Sequence, residues 1–136
     1  MRGPRILLVD DEDRFRTNLA KMLAAQELEV TDAAGGREAL ELLQLESYDV
    51  ALVDLRMPGM DGLETLAQMK KNAPGLEVII LTGHASMEAA IQISKLGGYD
   101  YLLKPCPLEE LLLKIEAAYD KKVEREKRSA RGNTGN

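Results

Sequence analysis

Short runs of Val, Ile and Leu alternate with longer stretches in which apolar residues recur at three-and-four spacing, five times along the chain. That alternation predicts strands joined by helices, and hence a parallel α/β sheet. The predicted strands are "RILLVD" (5–10), "LEVTDA" (28–33), "DVALVD" (49–54), "LEVIILT" (76–82) and "DYLLK" (100–104). In "VALV" and "VIIL" the apolar residues are continuous, as in strands covered on both faces. The helical stripes are Phe15, Leu19, Met22 and Leu23; Ala39, Leu42 and Leu43; Leu63, Leu66 and Met69; Ala89, Ala90 and Ile93; and Leu111, Leu112, Ile115 and Tyr119. Each gives its helix one face for the sheet. Gly35 and Gly36, Pro58 and Gly59, Pro74 and Gly75, and Gly97 and Gly98 punctuate the periodic segments.

These elements occupy the chain to about residue 122, so residues 1–122 are expected to form one domain. Residues 123–136 read as a charged extension of the fifth helix, where Tyr119 and Val123 continue the stripe, passing into a disordered tail or linker at "SARGNTGN".

Composition narrows the class. A chain of 136 residues, 45% hydrophobic and 30% charged, is long enough for one globular core. No apolar run reaches the roughly 18 residues a membrane-spanning helix needs, and "MRGPRILLVDDE" turns acidic too early for a signal peptide. The expected location is therefore cytoplasmic, and the lone Cys106 agrees with a reducing compartment. Tryptophan is absent and only 4% of residues are aromatic, which argues against a base-stacking platform. The net charge of −5 is uneven: "KKVEREKRSAR" (121–131) carries +4, leaving −9 for the rest. A body that acidic repels nucleic acid and attracts cations.

In an open parallel sheet, ligands bind beyond the carboxyl ends of the strands. Strand one ends in Asp10 and Asp11, strand three in Asp54, strand four in Thr82 and strand five in Lys104. Each has an ordinary reading alone: Asp10 or Asp11 as a helix N-cap, Asp54 ordering a turn, Thr82 capping helix four, Lys104 as half of an ion pair. Together, three carboxylates at one end of a sheet repel one another, and one lysine leaves about two charges uncovered. A hard divalent cation with oxygen ligands, Mg²⁺, would neutralise them and leave coordination sites for a phosphoryl group.

"VDD", "LVDLRMPGMDGLE", "ILTGHA" and "YDYLLKP", in this order and spacing, closely resemble the receiver domain of bacterial two-component response regulators, from about Arg5 to Lys121. The resemblance implies a doubly wound (βα)5 sandwich: a five-stranded parallel sheet of order 2-1-3-4-5 with helices on both faces. It implies a phosphorylation-activated signalling switch rather than an enzyme. Asp54 would be the phosphoacceptor, served by a sensor histidine kinase or phosphotransfer protein. Asp10, Asp11 and Asp54 would hold Mg²⁺ with the backbone carbonyl of Arg56. Thr82 would bond a phosphoryl oxygen, Lys104 would pair with it, and Tyr101 would be the switch aromatic. Lys104–Pro105 would be a cis peptide. Phosphorylation would reshape the face of helix four, strand five and helix five, controlling an output domain outside this chain or a partner, with homodimerisation on activation a further expectation.

Within "MPGMDG", Pro58 would fix a turn, Gly59 and Gly62 would let the backbone pass close to the site, and Asp61 reads as cap chemistry. Arg56 and His84, each two residues beyond a site residue, would flank the route of a hydrolytic water. As the only histidine, His84 also excludes an internal phosphodonor domain, a Ser-His-Asp triad built elsewhere and a His-rich metal site. Gly98 departs from the alanine many receivers carry, and residues 97–99 are expected to be mobile. Two other classes compete. An aspartyl-phosphate phosphohydrolase would need a second Asp where Arg56 stands, and a phosphorylation-independent scaffold would usually lack a site residue, whereas all five are present.

Overall fold

The structure, a computed structural model, describes residues 3–84 and 86–134. Five strands and five helices alternate: β1 (Arg5–Val9), α1 (Asp13–Ala24), β2 (Glu29–Ala33), α2 (Gly36–Leu45), β3 (Val50–Asp54), α3 (Gly62–Asn72), β4 (Glu77–Thr82), α4 (Met87–Lys95), β5 (Asp100–Leu103) and α5 (Leu108–Thr134). The strands form one sheet in the order β2-β1-β3-β4-β5, and all four neighbouring pairs are parallel. This is the α/β architecture the sequence pattern and the resemblance implied.

Two cores lie on opposite faces. Leu7, Val9, Ala51, Val53, Val78 and Ile80 pack against Ala39 of α2, Leu66 and Met69 of α3 and Ile93 of α4. Ile6, Leu8, Val50, Leu52, Ile79, Leu81 and Leu102 pack against Leu19 and Leu23 of α1 and Leu111, Ile115 and Ala118 of α5. Alternate residues of one strand thus feed different cores, because successive side chains leave a strand on opposite sides. β3 and β4 are buried at every position, which is why their apolar residues run without alternation. Two helix faces differ from the stripes read in the sequence. Met22 is 44% exposed, because α1 turns Leu19 and Leu23 inward, and the buried line of α5 passes through Ala118 with Tyr119 at its edge.

The larger departure is at the C-terminus. α5 runs 27 residues to Thr134, so the segment from Ser129, expected to lack structure, is helical as far as Thr134. The extension is anchored at the foot of the sheet. Glu77 opens β4 and is only 3% exposed. A buried carboxylate needs a cation, and Arg125 supplies one: Nη1 donates to Glu77 Oε1 at 2.9 Å and Nη2 to the Gly75 carbonyl at 3.0 Å. One turn earlier, Lys122 Nζ stands 3.2 Å from Asp49 Oδ1. The basic run therefore docks on the acidic body, which holds the extension in register with the domain.

The end of α4 gives the paired glycines a purpose. Gly97 has φ of +89°. Its amide donates to the Ser94 carbonyl at 3.1 Å, and that of Gly98 to Ile93 at 2.8 Å. This is a Schellman closure, whose left-handed residue is most easily glycine. The Tyr99 amide follows, donating to Val78 at 2.7 Å. The expectation of mobility in 97–99 thus meets a segment whose amides are all hydrogen-bonded.

Candidate functional site

The site follows from strand parity and register. Asp10, Asp54 and Lys104 continue the alternation of Leu8, Leu52 and Leu102, and so emerge on the face covered by α1 and α5. Val9 pairs with Val53, which brings Asp10 abreast of Asp54. Thr82 continues the opposite alternation of Val78 and Ile80, and Tyr101, partly buried, packs in that same α2–α3–α4 core. Thr82 and Tyr101 thus leave their strands on the opposite parity to Asp10, Asp54 and Lys104.

Asp10, Asp11 and Asp54 each present a carboxylate oxygen within 4.8 Å of the others. Asp10 is fully buried, Asp54 is 7% exposed and Asp11 faces solvent. Both oxygens of Asp10 are occupied: Oδ1 accepts from the Glu12 amide at 2.9 Å and Oδ2 from Lys104 Nζ at 2.8 Å. Lys104 also lies 3.2 Å from Asp54 Oδ1 and 3.8 Å from Glu12 Oε1. Burial, then the charge of Asp10, push the Asp54 carboxyl up from the ordinary 3.8, with Lys104 opposing. Burial works against the Lys104 ammonium, but its bond to Asp10 and the charges of Asp10 and Asp54 outweigh it and raise the lysine. One cation thus fails to balance the pocket. An all-oxygen, electron-rich donor set short of positive charge fits a hard divalent ion.

The capping readings of Asp10, Asp11 and Thr82 are displaced, whereas Lys104 does form ion pairs, with Asp10 and Asp54. The N-cap of α1 is Glu12, with no side-chain cap bond, rather than Asp10 or Asp11. Ser86 caps α4 by accepting from the Ala89 amide at 3.1 Å. Thr82 instead donates its hydroxyl to the His84 carbonyl at 2.9 Å and accepts from the His84 amide at 3.2 Å. Asp61 caps α3, accepting from Glu64 at 2.9 Å. Arg56 and His84 are both exposed beside the site, and Lys104–Pro105 is cis. Gly62 is dictated by proximity: a Cβ there would lie 2.4 Å from the Asp54 carbonyl oxygen and 2.7 Å from Leu55 Cα. Only glycine lets α3 begin directly against the end of β3.

Two residues near the cluster had no such role in the sequence reading. Arg16 donates from Nη1 to the Asp10 carbonyl at 2.7 Å, from Nε to Asp32 at 2.8 Å and from Nη2 to Asp13 at 2.8 Å. Its i+3 spacing from Asp13 was visible; its bonds to Asp10 and Asp32 depend on how α1 docks. Phe15, read as a core position, lies with its ring centroid 4.2 Å from Lys104 Nζ.

Comparisons with known proteins agree with this geometry. Residues 6–116 match the response regulator receiver domain. Regulatory protein AtoC of Escherichia coli is 41% identical over 114 residues, covering 84% of this chain and 25% of AtoC. The chain thus spans about a quarter of the length of that relative. A receiver domain protein (CheY-like) from Methanospirillum hungatei superposes with a TM-score of 0.86 at 33% identity, covering 90% of this chain and 98% of that one. The response regulator TrrA of Thermotoga maritima, solved in complex with Mg²⁺ and BeF, superposes with a TM-score of 0.77 at 29% identity, covering 85% and 99%.

Proposed function

Because this chain belongs to the response regulator receiver domain family, whose members are regulatory phosphoacceptors, we propose that it is a two-component switch phosphorylated on Asp54. The observation that carries the reading is Lys104 bridging Asp10 and Asp54 at the mouth of an oxygen-lined cluster. In the reaction, an Asp54 carboxylate oxygen forms a bond to phosphorus as the P–N bond of a phosphohistidine donor breaks, its electron pair remaining on the imidazole nitrogen. Asp10, Asp11, Asp54 and the backbone carbonyl of Arg56 would hold Mg²⁺, which would supply charge compensation for the transferring group. Support for that ion comes from the donor set and from the Mg²⁺ in the TrrA complex. Lys104 swings from its two carboxylates toward the new phosphoryl oxygens.

The acyl phosphate adds acceptor oxygens one strand away from Thr82. Thr82 then exchanges its bonds to His84 for one to the phosphoryl group, opening space that Tyr101 fills. The equilibrium it biases pre-exists, with coupling of about 1–3 kcal/mol. Residues up to about 122 act as the switch and 123–136 as the connector to an output domain or partner. The kinase or phosphotransfer donor and the cytoplasmic setting belong to the same reading; no described helix is long and apolar enough to cross a membrane.

Intact mass after incubation with acetyl phosphate tests the proposal. A gain of one phosphoryl group that requires Mg²⁺, is abolished by EDTA and is absent from Asp54→Asn is expected. No gain with acetyl phosphate or with a histidine kinase would shift the reading to a scaffold.

A further inference from the structure

The Lys104 ammonium is enclosed on several sides. Asp10 lies at 2.8 Å, Asp54 at 3.2 Å and Glu12 at 3.8 Å, and the face of Phe15 lies 4.2 Å from Nζ. Phe15 stands in the first turn of α1, three residues after Glu12, and is partly buried against the α1–α5 core. The lysine approaches it from the end of β5. The same ring, with Leu19, Met22, Leu81 and Leu111, walls a mainly apolar crevice beside the ammonium.

A lysine is a compact charge on a flexible four-carbon stem, so two carboxylates alone leave it several ways to reach them. An aromatic face attracts the ammonium without accepting a directional hydrogen bond. It therefore restricts where Nζ sits while leaving its donors free to move from one oxygen to another. An aliphatic side chain would fill the same crevice but would not attract the charge.

We propose that Phe15 is a positioning residue for Lys104, holding the ammonium by its ring face between Asp10 and Asp54, ready for transfer to an incoming phosphoryl group. The phosphoryl half of this inference rests on the function proposed above; the placement of Lys104 does not.

The test compares Phe15→Leu, which keeps apolar bulk, with Phe15→Trp, which keeps an aromatic face. The first readout is NMR of the unphosphorylated, Mg²⁺-free protein. Ring current shifts the Lys104 ε-methylene protons upfield, and Phe15→Leu is expected to abolish that shift while Phe15→Trp retains it. The second is the Asp54 labelling rate with saturating acetyl phosphate and Mg²⁺, expected to fall roughly three- to fivefold in Phe15→Leu and to stay near wild type in Phe15→Trp. Unchanged Lys104 resonances in Phe15→Leu would overturn the placement. Equal loss of rate in both variants would reduce Phe15 to a packing residue and overturn the transfer role. If Asp54 takes no phosphoryl group in any variant, the function proposed above fails, and the resonances still decide whether Phe15 places Lys104.

Discussion

Lys104 and Asp10 are separated by 94 residues, yet Nζ of one lies 2.8 Å from Oδ2 of the other. The contact ties the end of β5 to the end of β1 and stands where a divalent cation would compete with it. Lys104→Ala should therefore act in opposite directions on two measurements. Without metal, a fully buried Asp10 loses its cation, and unfolding in denaturant with EDTA should show a loss of about 2 kcal/mol. Titration calorimetry should show tighter Mg²⁺ binding, because a competing positive charge has gone. Weaker Mg²⁺ binding would mean that Lys104 organises the carboxylates rather than competing for them.

Asp54 gives a pH prediction. Burial and Asp10 raise its folded pKa above the unfolded 3.8, so in the window just above 3.8 the folded state binds more protons than the unfolded one. Stability attributable to Asp54 is then greatest at low pH and falls as pH rises through the raised value. Asp54→Asn should be more stable than wild type at neutral pH in EDTA and should lack this part of the pH dependence. Thermal melts between pH 3.5 and 7 measure it. Added Mg²⁺ should narrow the gap by compensating the charge.

Arg125 on Glu77 makes the α5 extension part of the fold. Arg125→Ala leaves a carboxylate 3% exposed with Lys121 at 4.0 Å as its remaining ion-pair partner. The expected loss is about 1–2 kcal/mol, moderated because the arginine is itself 40% exposed. Amide exchange beyond Lys121 should quicken in the same variant. A chain ended after residue 122 should lose similar stability, and one ended after 126 should not; equal stability of the two would make the extension an independent linker.

Gly97 and Gly98 are sensitive for different reasons. Alanine at Gly97 is strained by φ of +89°, whereas a Cβ on Gly98 would meet Ile93 Cγ2 at 2.6 Å and Leu66 Cδ2 at 3.2 Å. Each change should cost about 1–2 kcal/mol in denaturant unfolding. Wild-type amide exchange in 97–99 as slow as in β3 and β4 would make the Schellman closure rigid. Exchange much faster would mean that the closure opens often.

What the sequence determined by itself was the local order and the ends of the strands. Apolar continuity in "VALV" and "VIIL" marked β3 and β4, and counting to the strand ends put Asp10, Asp11, Asp54, Thr82 and Lys104 on one edge. Burial has a period set by the strand or helix itself, so it is written into neighbouring residues. The tertiary structure alone decided the partners across the chain. It placed Asp10, Asp54 and Lys104 on the α1–α5 face, gave Phe15 a charge to hold, bound Arg16 to the Asp10 carbonyl and laid Arg125 on Glu77, 48 residues away. The last of these also fixes the charged extension of α5 on the body of the domain. Such pairs depend on strand register and on the rotation of each helix against the sheet, and no spacing within a single element encodes either.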